Sequence, residues 1–123
     1  MKLHADKADL YAITAYGGDW VTINGQRHSS SLVLSSTDGV TPWNCGRFDE
    51  LTPEHFEALL AHRPELVLFG SGTRLRFARA ALLQSLIAQR IGVETMDTAA
   101  ACRTYNILAG EGRRVTAALL IGD

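Results

Sequence analysis

The sequence is short of most features that announce a specialised class. It has two cysteines in 123 residues, Cys45 and Cys102, far apart and outside any CxxC pattern. That spacing supports neither a zinc site nor a thioredoxin-like motif, and a disulfide is not expected in a reducing compartment. Both are read as small residues that happen to carry thiols. There is no charge excess either: twelve Lys and Arg against thirteen Asp and Glu leave a formal net charge of −1. The basic footprint of a nucleic-acid binder is missing, and so is the polybasic segment that holds an anionic membrane. No apolar run approaches the roughly 20 residues of a membrane span. The opening "MKLHADKADLYAI" has no signal-peptide core. We therefore expect a complete, cytoplasmic chain with no nucleic-acid partner and no direct membrane insertion.

Catalytic signatures are also scarce. No H-E-x-x-H or comparable metal spacing occurs. No G-x-S-x-G elbow occurs, because "GSG" at 70–72 is one residue too compact. The four histidines, His4, His28, His55 and His62, are isolated and all lie in the front half, so they are expected at the surface. Asp49, Glu50, Glu54 and Glu57 read as solvated charges. No metal and no cofactor is expected.

What is present is a balanced composition, 46% hydrophobic and 20% charged, fitting one soluble globular domain over residues 1–123. A chain of this length buries a core without staples. The front forty residues read as strands: "YAITAY" (11–16) before Gly17-Gly18, "WVTI" (20–23), then the hairpin signal Asn24-Gly25 with a return strand including "SSSLVLSS". Asp38-Gly39 marks another turn, and "TPWNCGRFDEL" reads as loop, with a short strand as the alternative. A helix follows, with Thr52 as N-cap, Pro53 at its first position, a Leu51–Phe56 staple and Pro64 as its end. The back half alternates: strand 66–69, helix 78–90 with Gly92 as C-cap, strand 93–95, helix 98–109 capped by Asp97, and strand 115–121. Strand–helix alternation argues for a layered α/β sheet, with the antiparallel front half added to it or packed beside it.

The segment "LVLFGSGTRLRF" looks most like a site, because a buried strand stops at Gly70-Ser71-Gly72 and arginines follow. A dinucleotide fingerprint needs a third glycine where Leu75 stands and an acidic residue about 20 positions on, where Gln89 and Arg90 stand. A P-loop needs a lysine and a second spaced glycine, both absent. Two readings remain: a ligand-permissive turn at the carboxyl end of a strand, or a turn that needs glycine for steric reasons alone.

The 98–109 helix can be phased at about 100° per residue. Thr98, Ala101, Cys102, Tyr105, Leu108 and Ala109 fall on one stripe, which makes Cys102 a core thiol and Tyr105 a core aromatic with its hydroxyl paired at the edge. Arg103 and Asn106 fall off the stripe and point the same way. If the strands at 66–69 and 93–95 are parallel, Arg103 and Asn106 border a small cleft beside the Gly70–Thr73 turn. The candidate ligand-binding set is thus Gly70, Ser71, Gly72, Thr73, Arg103 and Asn106. Glu94 and Asp97 weigh against a plain anion site there, and Arg74 and Arg76 weigh for one. The alternative is that Arg103 pairs with a carboxylate and Asn106 satisfies backbone groups.

"GSGTRLRF", the "GVETMDT" segment, the "AACRTYN" helix and the closing "RRVTAALL" strand together resemble one family. It is the long-uncharacterised α/β domain family whose mitochondrial member is an assembly factor for respiratory complex I. The resemblance covers most of the chain and is strongest over 65–121. It implies a three-layer α/β fold with a central mixed sheet and additional antiparallel β structure. It implies, for the mitochondrial relatives, a non-catalytic role in building a membrane enzyme complex through protein contacts. Gly70, Gly72, Arg103, Thr104, Tyr105 and Asn106 match the family's motifs, and the resemblance supplies no catalytic residues. The chain lacks the targeting extension of a mitochondrial form, which favours a bacterial cytoplasm.

The leading expectation is a small non-catalytic assembly or interaction factor with an unidentified protein partner, such as a subunit of a membrane complex. The alternative is a small-molecule or anion-binding domain, or an enzyme, with its pocket at the Gly70–Thr73 turn. A third is a homodimer paired through front-half edge strands such as "SLVLSS".

Overall fold

The computed structural model of the chain describes residues 10–123; His4 and the opening segment read for targeting lie outside the described residues. At the hairpin signal, Asn24 and Gly25 both take positive φ, 47° and 85°, as a two-residue primed turn requires. The turn joins β2 (Val21–Ile23) to β3 (Gln26–His28), and β1 (Ile13–Tyr16) pairs with β2 on its other side. The result is a three-stranded antiparallel sheet. The return strand is therefore Gln26–His28, because a two-residue turn starts pairing at once. The segment "SLVLSS" has another fate. Leu32 and Leu34 face one core and Val33 the other, so the strand needs cover on both sides. It becomes β4 (Leu32–Ser35), an interior strand of a second sheet and not the edge expected to pair two copies.

The second sheet has five strands. β4 is antiparallel to β5 (Gly39–Pro42) and to β8 (Val115–Leu119). β6 (Leu66–Gly70) is parallel to β8 on one side and to β7 (Gly92–Met96) on the other. The order is β5-β4-β8-β6-β7, a mixed sheet. Period-two alternation sorts its side chains into two cores. Val115, Ala117, Leu119, Ile121 and Leu68 face α3 (Thr98–Gly110) and the three-stranded sheet. Ala118, Leu120, Val67 and Phe69 face the other layer, which holds α1 (Pro53–Glu57) and α2 (Gln84–Ala88). There the rings of Trp43, Phe56 and Phe69 meet edge to face at centroid distances of 5.3–6.1 Å. The fold is the three-layer α/β arrangement expected.

Three local expectations need correction. The helix expected over 78–90 is a 3-10 turn at Ala80–Leu83 followed by the short α2. Arg76 N–H donates to Ser71 Oγ and Arg79 is extended (φ −66°, ψ 149°), which delays helix entry. In α2 Leu86 is fully buried and Ile87 is 55% exposed. Gly92 does not cap that helix. Arg90 takes the left-handed conformation (φ 59°) and Ile91 N–H returns to Leu86 O at 3.0 Å, closing the helix end and freeing Gly92 to begin β7. The histidines expected at the surface are half-buried at 28, 55 and 62. His55 is the capping partner of Thr52: its Nδ1 accepts from Thr52 N–H at 2.9 Å, and its Nε2 then donates to Asn44 O at 2.7 Å.

A glycine joint and the cleft beside it

Parallel pairing of β6 with β7 sets Gly70 opposite Met96, so the glycine turn and the start of α3 lie at one end of the sheet. They are bonded directly. Gly72 N–H donates to Thr98 Oγ1 at 2.9 Å, and Thr98 N–H donates to Gly72 O at 2.8 Å. The Thr98 hydroxyl itself donates to Leu120 O at 2.7 Å. Ser71 N–H donates to Met96 O at 2.9 Å. The crevice between the two strand ends is thus a joint closed by hydrogen bonds.

Both glycines are required by this joint. A Cβ at Gly70 would lie 2.8 Å from Leu119 Cδ2 and 3.0 Å from Thr98 Oγ1. Gly72 has φ +101°, and a Cβ there would lie 2.7 Å from Arg76 Nη2. Ser71 is buried; its hydroxyl donates to Arg74 O at 2.8 Å and accepts from Arg76 N–H at 3.0 Å. Arg76 turns inward. Its Nη2 reaches Ser71 O at 2.7 Å and Asp123 Oδ2 at 2.8 Å, and its guanidinium lies 4.8 Å over the Phe48 ring. The Phe48 N–H bond and the Arg76 contacts hold the Asp123 carboxyl below its ordinary range. Arg74 and Arg79 are exposed.

An open cleft of about 330 Å³ lies beside this joint, lined by Tyr16, Gly17, Gly18, Gly72, Thr73, Asp97, Thr98 and Ala99. Of the six candidate residues, Gly72 and Thr73 line it; Gly70 and Ser71 lie beneath in the packing, and Arg103 and Asn106 are not on the wall. Arg103 reaches the rim indirectly, through a 3.0 Å bond from Nη1 to the Tyr16 hydroxyl, which favours its charged form. Asn106 grips the backbone of Ile13, accepting from N–H at 2.9 Å and donating to O at 2.7 Å. The wall residues Tyr16, Gly17 and Gly18 come from the end of β1 and the turn after it, where the sequence offers only a glycine pair as a turn signal. A Cβ at Gly17 would collide with the Trp20 indole.

The cleft is poorly suited to phosphate. Asp97 already caps α3, its Oδ1 accepting from Ala100 N–H at 2.8 Å, and its carboxylate meets the positive end of the helix. Ala101 N–H goes to Asp97 O and Thr98 N–H to Gly72 O, so with Ala100 three of the first four amide donors of α3 are committed. The remaining nucleophile candidates lie in the core. Cys102 is fully buried and its thiol is pushed up to about 12 by burial. Cys45 is buried, its thiol raised by the same cause, and donates to Arg47 O at 3.0 Å. Tyr105 is fully buried, its hydroxyl donating to Tyr11 O at 2.7 Å and shifted upward chiefly by burial.

The class defined by this arrangement is a three-layer α/β domain with a five-stranded mixed sheet, a three-stranded antiparallel sheet seated on its last helix, and a glycine joint at the carboxyl end of the parallel strands. The chain belongs to the family described as "Protein of unknown function (DUF498/DUF598)", matched over residues 13–120. It is 34% identical over 120 residues to the human "NADH dehydrogenase [ubiquinone] 1 alpha subcomplex assembly factor 3", covering 96% of this chain and 65% of that protein. The rat protein of the same name is 36% identical over 110 residues, and the chain spans 59% of its length. Among solved structures, a Bordetella parapertussis protein superposes with a TM-score of 0.84 at 37% identity, over 91% of this chain and 96% of the other. No helix among the described residues is long and apolar enough to cross a membrane.

Proposed function

We propose that the chain is a non-catalytic interaction factor that assists the building of a multi-subunit complex through protein contacts; the name of its mammalian relatives states an assembly role for them. The carrying observation is the segment after the glycine joint. Leu75 and Phe77 are 52% and 69% exposed, on a stretch anchored from below by Ser71 and by the Arg76–Asp123 pair. Two large apolar side chains held outward on an anchored loop suit a docking contact better than a loop tip left to chance. The partner fitting the relatives' role is a subunit or intermediate of a membrane-bound respiratory enzyme. The test places a photocrosslinking amino acid at position 77 in cells grown by respiration. An adduct with such a subunit, lost when Leu75→Ser and Phe77→Ser are combined at unchanged stability, supports the proposal. Uniform background labelling equal to that from an exposed control at Glu57 sinks it.

A second reading has one observation behind it, the 330 Å³ cleft at Gly72 and Thr73. With Asp97 on its wall, it favours a small polar or cationic ligand over an anion. Thermal-shift screening that finds a ligand whose effect vanishes in Thr73→Ala supports it; hits indifferent to that substitution dispose of it.

A further inference from the structure

At the opposite end of the sheet, where β6 and β8 begin, lies a pocket of about 210 Å³ lined by Thr37, Asp38, Ala61, His62, Arg63 and Arg114. We propose that it binds inorganic phosphate, through Arg63 and Arg114 with His62 as acceptor for the P–OH proton. This goes beyond the interaction role above and uses none of the same residues.

Each wall residue is placed by the backbone. Ser35 Oγ accepts from Thr37 N–H at 3.2 Å and from Asp38 N–H at 3.0 Å, fixing the β4–β5 turn. Ser36 clamps the start of β8: its N–H donates to Val115 O and its hydroxyl accepts from Val115 N–H and donates to Arg113 O. Glu65 N–H donates to Arg114 O at 2.9 Å from the other flank. Arg114 is thereby held between the 36–38 turn and the 63–65 segment. Its neighbour Arg113 is engaged with Glu65 at 2.7 Å, whereas Arg114 and Arg63 have no ion pair among the described residues. Arg63 also stands at φ 49°, ψ 50°, a left-handed position where glycine is the ordinary residue.

The chemistry of His62 then selects the anion. Its Nδ1 lies 2.9 Å from Asp38 Oδ2. The carboxylate, held below its usual range first by this bond and also by Arg114, is an acceptor, so Nδ1 donates to it. In neutral imidazole, Nε2 is left as an acceptor. Two guanidinium groups match phosphate oxygens, and an acceptor nitrogen matches a P–OH group, which sulfate at neutral pH lacks. The volume is below the roughly 300–1,000 Å³ of sites for larger ligands, which suits phosphate itself.

The test is titration of the full chain with inorganic phosphate at constant ionic strength in slightly alkaline buffer, followed by amide NMR shifts. The expected result is a saturable change centred on Thr37, Asp38, His62, Arg63 and Arg114, with half-saturation near about 1 mM. Sulfate should bind at least about tenfold more weakly, and Arg63→Gly and Arg114→Ala should each weaken phosphate about tenfold. Arg63→Gly suits the local backbone, so the fold survives the removal of that cation. Changes that fail to saturate, that centre elsewhere, that sulfate reproduces at equal concentration, or that persist in Arg63→Gly overturn the proposal.

Discussion

Gly72 and Thr98 exchange a reciprocal pair of hydrogen bonds, N–H to Oγ1 at 2.9 Å and N–H to O at 2.8 Å, tying the end of one strand to the first turn of a helix 26 positions on. Replacing Thr98 by Val keeps the shape and removes the hydroxyl, leaving Gly72 N–H and Leu120 O without their partner. The expected cost is about 2–4 kcal/mol in denaturant unfolding, from two buried groups left unsatisfied. Thr98→Ser should recover most of it. Equal stability of the Val and Ser variants would show that the hydroxyl is not the joint.

The glycines make a second prediction, with an internal control. Gly72→Ala should lose about 1–3 kcal/mol, because φ +101° is strained for alanine and Arg76 Nη2 lies 2.7 Å from the added carbon. Gly110→Ala, at the last turn of α3 with nothing within 4 Å, should gain about 0.5–1 kcal/mol. Thermal melts of the pair that move in the same direction contradict the steric account.

Asn106 should matter locally before it matters globally. Asn106→Ala removes both bonds to Ile13 and should cost about 1–2 kcal/mol. Amide exchange at Ile13 and its partners in β2 should accelerate, while the central amides of β6 keep their protection. Uniform acceleration across both sheets would mean that the small sheet has no separate hold.

The pH response follows from Asp123. Its folded pKa lies below the ordinary carboxylate value of about 3.9, so it binds fewer protons folded than unfolded in that range. Its contribution is present above about pH 4 and is lost as pH falls through the lower folded value. Asp123→Asn should therefore be less stable at neutral pH and show a shallower acid decline. A decline as steep as that of the parent chain removes Asp123 from the account.

The thiols should be silent. With Cys102 raised to about 12 and Cys102 and Cys45 buried, alkylation of the native chain in mildly alkaline buffer should proceed only as fast as the structure opens, and completely after denaturation. Rapid native labelling of Cys102 would place it outside the core.

Local chemistry carried much of this fold in the sequence. Asp97 as cap and the stripe through Ala101, Cys102, Tyr105 and Ala109 are nearest-neighbour effects, and the structure has them as read. The apolar runs of β6 and β8 announce strands covered on both faces. What escaped is long-range. The destination of Asn106 is Ile13, 93 positions away, and no periodicity carries that information. The cleft wall draws on Tyr16–Gly18 for the same reason. Even α1 hid its cap partner, because His55 does there what a Glu or Gln usually does.

The position of β8 has a consequence for how the molecule is made. It is the last strand in the chain and the third in the sheet, pairing Leu32 with Leu119 on one flank and Gly70 with Leu119 on the other. During synthesis the hairpin of β4 and β5 emerges early, yet it has no neighbour to join until about 80 further residues have left the ribosome, at several per second. For those seconds it presents an unpaired apolar edge, the time in which a nascent-chain holdase would find it. Arrest of translation before Val115 should leave two half-sheets with nothing between them.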